Sequence, residues 1–98
     1  MLFRSNLKCV KEYKFSETRK WRFDYSILSH KIAIEVEGGV FTKGRHTRGK
    51  GFINDIEKYN NAACDGWILI RTIPSELMGS KTLNFIYKAI ILRNLESL

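Results

Sequence analysis

The sequence predicts an α/β (α+β) domain, a mixed sheet of about four strands flanked by helices. Three observations carry this. Two aromatic-rich alternating stretches and one isoleucine-rich stretch precede residue 38, with turn signals between them. Apolar residues then recur at helical spacing from Phe52 onward. A short continuous apolar run, Trp67 to Ile70, is followed by a second helical stripe. Strands gathered ahead of a helix–strand–helix order suit one sheet covered by helices.

Val10 to Phe15 and Lys20 to Leu28 alternate as strands do, and SETR at residues 16–19 supplies the turn between them. In the second strand Trp21, Phe23, Tyr25 and Ile27 are expected on one face, with Arg22, Asp24 and Ser26 on the other. Ser29 and His30 make the next turn. The third strand sets Ile32, Ile34 and Val36 against Lys31, Ala33, Glu35 and Glu37, so Asp24, Glu35 and Glu37 can share the non-core face.

Residues 38–51, GGVFTKGRHTRGKG, read as a flexible basic loop. In the helix that follows, Phe52, Ile56, Tyr59 and Ala63 form the apolar row, and Asp55 and Glu57 suit its positive N-terminal half. Gly66 is placed to stop this helix. The run from Trp67 is a strand buried on both faces, and Pro74 breaks the chain. Ser80 can cap a last helix with a stripe of Leu83, Ile86, Tyr87, Ile90, Ile91 and Leu95. A short helix is placed near the N-terminus.

With 98 residues the chain is read as a single domain over 1–98. Its core is thin, and a homodimer would help it. No apolar run approaches the ~20 residues of a membrane span, and MLFRSNLKCVKEYK lacks the apolar core of a signal peptide. Cys9 and Cys64 lie far apart without metal-site spacing, which implies a reduced, cytoplasmic protein with no cysteine-based zinc. The net charge of +7 favours an acidic partner such as nucleic acid, against the alternative of a merely basic domain.

The acids inside the strands need a reason. A turn symmetric about Ser29 and His30 sets Leu28 against Lys31 and, counting outward, Asp24 directly against Glu35. Their Cβ atoms would lie roughly 5 Å apart, where like charges destabilise a sheet. Such a pair either shares a proton or takes a cation between its members. Mg²⁺ answers this with hard oxygen ligands, and a metal on two carboxylates of a basic protein points to phosphoryl chemistry. A five-residue turn from Ser16 to Lys20 would set Glu12 against Asp24 as a third carboxylate; a solvated edge-strand glutamate is the alternative. Lys43, Arg45, His46, Arg48 and Lys50 in the glycine loop are the candidate phosphate contacts, with glycines allowing close approach.

RFDY, then IEVEGG, GRHTRGKGF, DIEKYNNAA and GWILIR in that order resemble the PD-(D/E)XK nuclease superfamily over roughly residues 12–73. The likeness is nearest to small phage and bacterial members related to virus-type replication-repair nucleases. The resemblance implies a restriction-endonuclease-like core, DNA as partner and Mg²⁺ or Mn²⁺ as cofactor. Asp24 matches the first acid of the motif and Glu35 the second, with the Val36 carbonyl as a further metal ligand. The motif's lysine falls at position 37, where this chain has Glu37. Lys58, in the following helix, is the candidate for a relocated lysine; Glu37 could instead activate water or bind a second ion.

Each residue keeps a plainer alternative. Asp24 and Glu35 could pair with Arg22 or Lys31, Glu37 could be a strand-end charge, and Lys58 an exposed partner of Asp55. His30 reads as a turn residue. Trp21, Tyr25, Phe41 and Trp67 read as core, with Phe41 the one placed for base stacking. The function expected is metal-dependent DNA endonuclease action, structure-selective on branched or junction DNA in phage or bacterial replication, repair or recombination. A nucleic-acid-binding module of the same fold without catalysis is the alternative. An RNA-directed nuclease stays open, because no feature reads the 2′-hydroxyl.

Overall fold

The computed structural model describes residues 7–38 and 48–97, except for the side chains of residues 48–50. Strands β1 (Val10–Lys14), β2 (Arg22–Ile27), β3 (Ile32–Val36) and β4 (Ile68–Thr72) form one sheet in the order β1-β2-β3-β4. The first two pairings are antiparallel and β3 with β4 is parallel, so the sheet is mixed and the chain is α+β. Helix α1 (Arg48–Cys64) is the crossover that a parallel pair requires, and α2 (Ser80–Glu96) follows β4. Of the short helix expected near the N-terminus nothing is seen in residues 7–9, and residues 1–6 lie outside the described residues.

The β2–β3 hairpin turns through a 3₁₀ segment, Leu28–His30. Lys31 donates its N–H to the Leu28 carbonyl at 3.2 Å. Leu28 therefore faces Lys31, and outward from it Ile27 pairs with Ile32, Ser26 with Ala33 and Tyr25 with Ile34. In the β1–β2 hairpin Lys11 pairs with Tyr25 and Tyr13 with Phe23, and the ladder skips Glu12 opposite Asp24. Glu12 has a φ of 54°. That left-handed conformation costs an L residue about 1–2 kcal/mol, so the surrounding structure must hold it.

Both sheet faces are covered. On one, Ile27, Ile32, Ile34 and Ile70 pack against Ile86, Ala89 and Ile90 of α2. On the other, Phe23 and Ala33 pack against Ala62 of α1, with Phe15, Trp67 and Leu69 around them. The Phe15 and Phe23 rings stack at 4.1 Å, and Trp67 meets Phe23 edge-on at 4.9 Å.

Four expectations are corrected by this packing. Phe23 faces α1 while Tyr25 and Ile27 face α2, so the aromatic row of β2 does not share one face. The alternation breaks where Glu12, left-handed and opposite Asp24, interrupts the ladder, although the register is the same on both sides of the gap. The face carrying Ala33 and Glu35 is not a solvent face but lies beneath α1. Along α1, Ala62 is buried and Lys58 and Tyr59 are half-buried, whereas Phe52 is 63% and Ile56 44% exposed. Of the expected apolar row, Tyr59 reaches the sheet while Phe52, Ile56 and Ala63 stay exposed. In α2 the stripe holds at Leu83, Ile86, Tyr87 and Ile90, but Ile91 and Leu95 are exposed.

Helix ends follow the same comparison. Gly66, with φ of 87°, ends α1 in a Schellman motif: Trp67 N–H donates to the Ala62 carbonyl and Gly66 N–H to that of Ala63, each at 3.0 Å. Ser80 is the first residue of α2 rather than its cap; Gly79 takes the N-cap without a side-chain hydrogen bond. Helix α1 begins at Arg48, so residues 48–51 of the expected loop belong to its first turn. Lys43, Arg45, His46 and Phe41 lie outside the described residues. Cys9 is buried and Cys64 exposed, both as free thiols. Among the described residues no helix is long and apolar enough to cross a membrane.

The two phenylalanines separate the buried face from the exposed one. Phe23→Ala is expected to cost about 3–5 kcal/mol of unfolding free energy in a urea titration. Phe52→Ala should stay within about 0.5 kcal/mol. A large loss for Phe52→Ala would show that α1 packs on the row the sequence suggests.

Candidate active site

The β2–β3 ladder ends at Tyr25 and Ile34, and beyond it side chains replace backbone partners. Asp24 donates its N–H to Glu35 Oε2 at 2.9 Å. Val36 donates its N–H to Asp24 Oδ2 at 2.7 Å. The two carboxylates predicted to oppose each other therefore do, each accepting a backbone N–H from the other's strand. A strand residue presents its carbonyl to the same edge as its own N–H, so the Val36 carbonyl also faces Asp24.

Glu35 is 4% exposed. From α1, Lys58 donates to Glu35 Oε1 in an ion pair, and the Tyr59 hydroxyl approaches the same oxygen at 3.4 Å. Lys58 Nζ also lies 5.9 Å from the Phe23 ring centre, so the ammonium is enclosed as well as paired. Burial pushes the Glu35 carboxyl above its ordinary value; Lys58 and the Asp24 N–H pull it back without cancelling that effect. Burial, then the charges of Glu35 and Glu37, keep the Tyr59 hydroxyl protonated well above its usual range, which makes it a donor.

Glu37 is engaged elsewhere. Arg71 Nε donates to its Oε1 at 2.6 Å, and the Arg71 guanidinium lies 5.2 Å from the Tyr59 ring centre. Lys58, Tyr59 and Arg71 thus form a row above Glu35 and Glu37. The plainer partners do not materialise: Arg22 donates to the Glu12 carbonyl and Lys31 to that of Asp65, while Lys58 pairs with Glu35 and not Asp55. His30 is held by Ser29 and Asn94, at the turn end of the hairpin and away from the acids. Arg48 and Lys50 sit in the first turn of α1; Lys43, Arg45 and His46 fall outside the described residues.

Among the described residues no three His, Cys, Asp or Glu side chains converge as a metal cluster, so Glu12 does not complete a three-carboxylate site. The donor set at the end of the ladder is instead two carboxylates and a backbone carbonyl. That all-oxygen set fits Mg²⁺ or Mn²⁺, which use one or two carboxylates and fill the rest with water and phosphate oxygens. Arg71 and Tyr59 are the neighbours that sequence reasoning missed. The alternation of GWILIR and the parallel register of Glu35 with Arg71 carry the signal for the first. Tyr59 falls in the apolar row of its helix, so its spacing alone does not distinguish it from a core residue. A scan against family models and searches of curated proteins and solved structures found no match to this chain.

Lys58→Met removes the cation and leaves a buried carboxylate unpaired, a change that typically costs about 3–5 kcal/mol at neutral pH. The sign of its pH dependence is fixed by linkage. A carboxyl whose folded pKa is raised binds more protons folded than unfolded, so stability falls as pH rises from the ordinary value near 4.3 through the raised one. Thermal melts of Lys58→Met are expected to recover toward wild type as pH is lowered across that window. A loss that does not shrink on acidification would show that Lys58 is not what neutralises Glu35.

Proposed function

We propose that this protein is a metal-dependent deoxyribonuclease that hydrolyses phosphodiester bonds, in keeping with the resemblance to PD-(D/E)XK nucleases. The observation that carries the reading is the reciprocal Asp24–Glu35 arrangement with Lys58 delivered onto Glu35 from α1. A buried ion pair is an expensive way to stabilise a small domain, and a buried carboxylate beside another acid is typical of functional sites. The carboxylates of Asp24 and Glu35 and the Val36 carbonyl would hold Mg²⁺ or Mn²⁺. Bound there, the ion would lower the pKa of a coordinated water and stabilise charge on the phosphate.

The chain's own residues then have separate tasks. Asp24 and Glu35 present fixed acceptors, because each is anchored by a backbone N–H. Lys58 supplies a positive charge beside the point where the phosphate would gain negative charge. Hydrolysis breaks one P–O bond and forms another to water oxygen. Arg48 and Lys50 stand in the first turn of α1, where cations oppose the helix dipole. A phosphate on that turn would relieve the conflict and use its free N–H groups. Such contacts read the backbone rather than base edges, which suits selection by DNA structure, with branched or junction DNA as substrate. Cutting both strands would take a homodimer, and the exposed Phe85, Leu92 and Leu95 of α2 are apolar surface available to one.

One observation favours the second reading, a DNA-binding module without catalysis. The position of the motif's lysine holds Glu37, and Glu37 is committed to Arg71.

The deciding assay is cleavage of supercoiled, linear, single-stranded, flap and four-way-junction DNA with and without Mg²⁺ or Mn²⁺. Asp24→Asn is expected to abolish metal-dependent cleavage while DNA binding largely remains. Lys58→Gln should lower kcat by about 10²–10³, the usual loss when one stabilising donor is removed from a reacting centre. Wild-type protein that binds these DNAs but cleaves none would leave the binding module as the function.

A further inference from the structure

On the α2 side of the sheet, a cleft of about 430 Å³ opens beside Glu12 and Asp24, lined further by Lys11, Tyr25, Val36, Pro74 and Leu77. It lies within the roughly 300–1,000 Å³ range of small-molecule sites. The cleft has two chemistries. Tyr25 and Leu77 rest on the core beneath α2 and, with Pro74 and Val36, make an apolar wall. Lys11 and Glu12 are exposed on β1, and Asp24 is shared with the candidate active site, so the polar side carries one cation and two carboxylates.

The space follows from the backbone. The β1–β2 ladder skips Glu12 and Asp24, and the β2–β3 ladder has already ended at Tyr25 and Ile34. Glu12 is held in a left-handed conformation, and the Arg22 guanidinium clasps its carbonyl at 3.2 Å. An L residue takes that region only where its surroundings impose it, and such positions cluster at ligand clamps. The opening is thus built into the sheet at the one place that also carries the acids.

We propose that this cleft receives one unpaired nucleotide of a DNA strand next to the bond that is cut. The base would lie on the wall of Tyr25, Pro74 and Leu77, and Lys11 would meet its phosphate. Bases have apolar π faces that pack on aromatic and aliphatic side chains without regard to sequence. A base stacked in a duplex cannot reach such a wall, so only a flipped or unpaired nucleotide fits. The inference rests on the nuclease reading and supplies a physical cause for structure selectivity: flaps, branches and single-stranded ends offer the unpaired nucleotide and blunt duplex does not.

The test is binding, so that it does not depend on catalysis. Fluorescence anisotropy with Ca²⁺ in place of Mg²⁺ compares a dye-labelled blunt duplex, the same duplex with a single-stranded overhang, and that overhang with an abasic site at the junction. Wild type is expected to bind the overhang about tenfold more tightly than the blunt end, the gain from packing one base. The abasic site should remove the gain. Leu77→Trp, which fills the cleft, and Lys11→Gln, an exposed change that cannot disturb the core, should each reduce it with blunt-duplex binding held within about twofold. Wild type without a preference, or with no DNA binding at all, overturns the proposal, as does a preference that survives both substitutions. Overhang-selective binding without cleavage would sink the nuclease reading and keep the cleft. Cleavage with equal affinity for every DNA would do the reverse.

Discussion

Burying Glu35 is the constraint around which the rest of the site is arranged. A carboxylate out of water needs its charge met within hydrogen-bond reach, or it takes up a proton. Here the Asp24 N–H and the Lys58 ammonium meet it from two directions. Those two partners fix other things in turn. Asp24 must leave the regular ladder to offer its N–H to a side chain, and α1 must turn Lys58 toward the sheet. Lys58, Tyr59 and Ala62 point inward together, and Phe52 and Ile56 stay exposed.

The break at Asp24 has a second consequence. Because Glu12, opposite Asp24, takes a left-handed conformation at the same level, the ladder is interrupted in both strands, and Phe23 joins the aromatic cluster under α1. That cluster encloses the Lys58 ammonium and keeps water from it. The same break opens the cleft on the other side of the sheet. Core, charge pair and cleft therefore share one irregularity, and a regular hairpin would provide none of them.

Much of this was legible in the chain. Turn symmetry around Ser29 and His30 sufficed to set Asp24 against Glu35, because side-chain position in a hairpin is determined by counting once the turn is known. Gly66 was readable as a helix stop because the left-handed cap nearly demands glycine. Lys58 was readable only as the lysine in the right helix. The faces of Phe23, Phe52 and Ile91 were not legible. Two apolar rows lie side by side on each helix, and periodicity specifies their spacing but not which row meets the sheet. The role of Arg71 is not legible for a similar reason, since its partner Glu37 lies just past β3, far away in sequence.

Sequence by itself determined the α+β order of elements, the turn positions, the pairing of the two central acids and the basic charge that suits a phosphate-rich partner. Those depend on local conformational preference, alternation and composition, all of which are properties of neighbouring residues. Tertiary structure alone decided that Glu35 is buried, that Lys58 rather than Arg22 or Lys31 neutralises it, and that Glu37 belongs to Arg71. Desolvation is the reason. The strength of a charge pair depends on how much water surrounds it, and that is set only when α1 closes over the sheet.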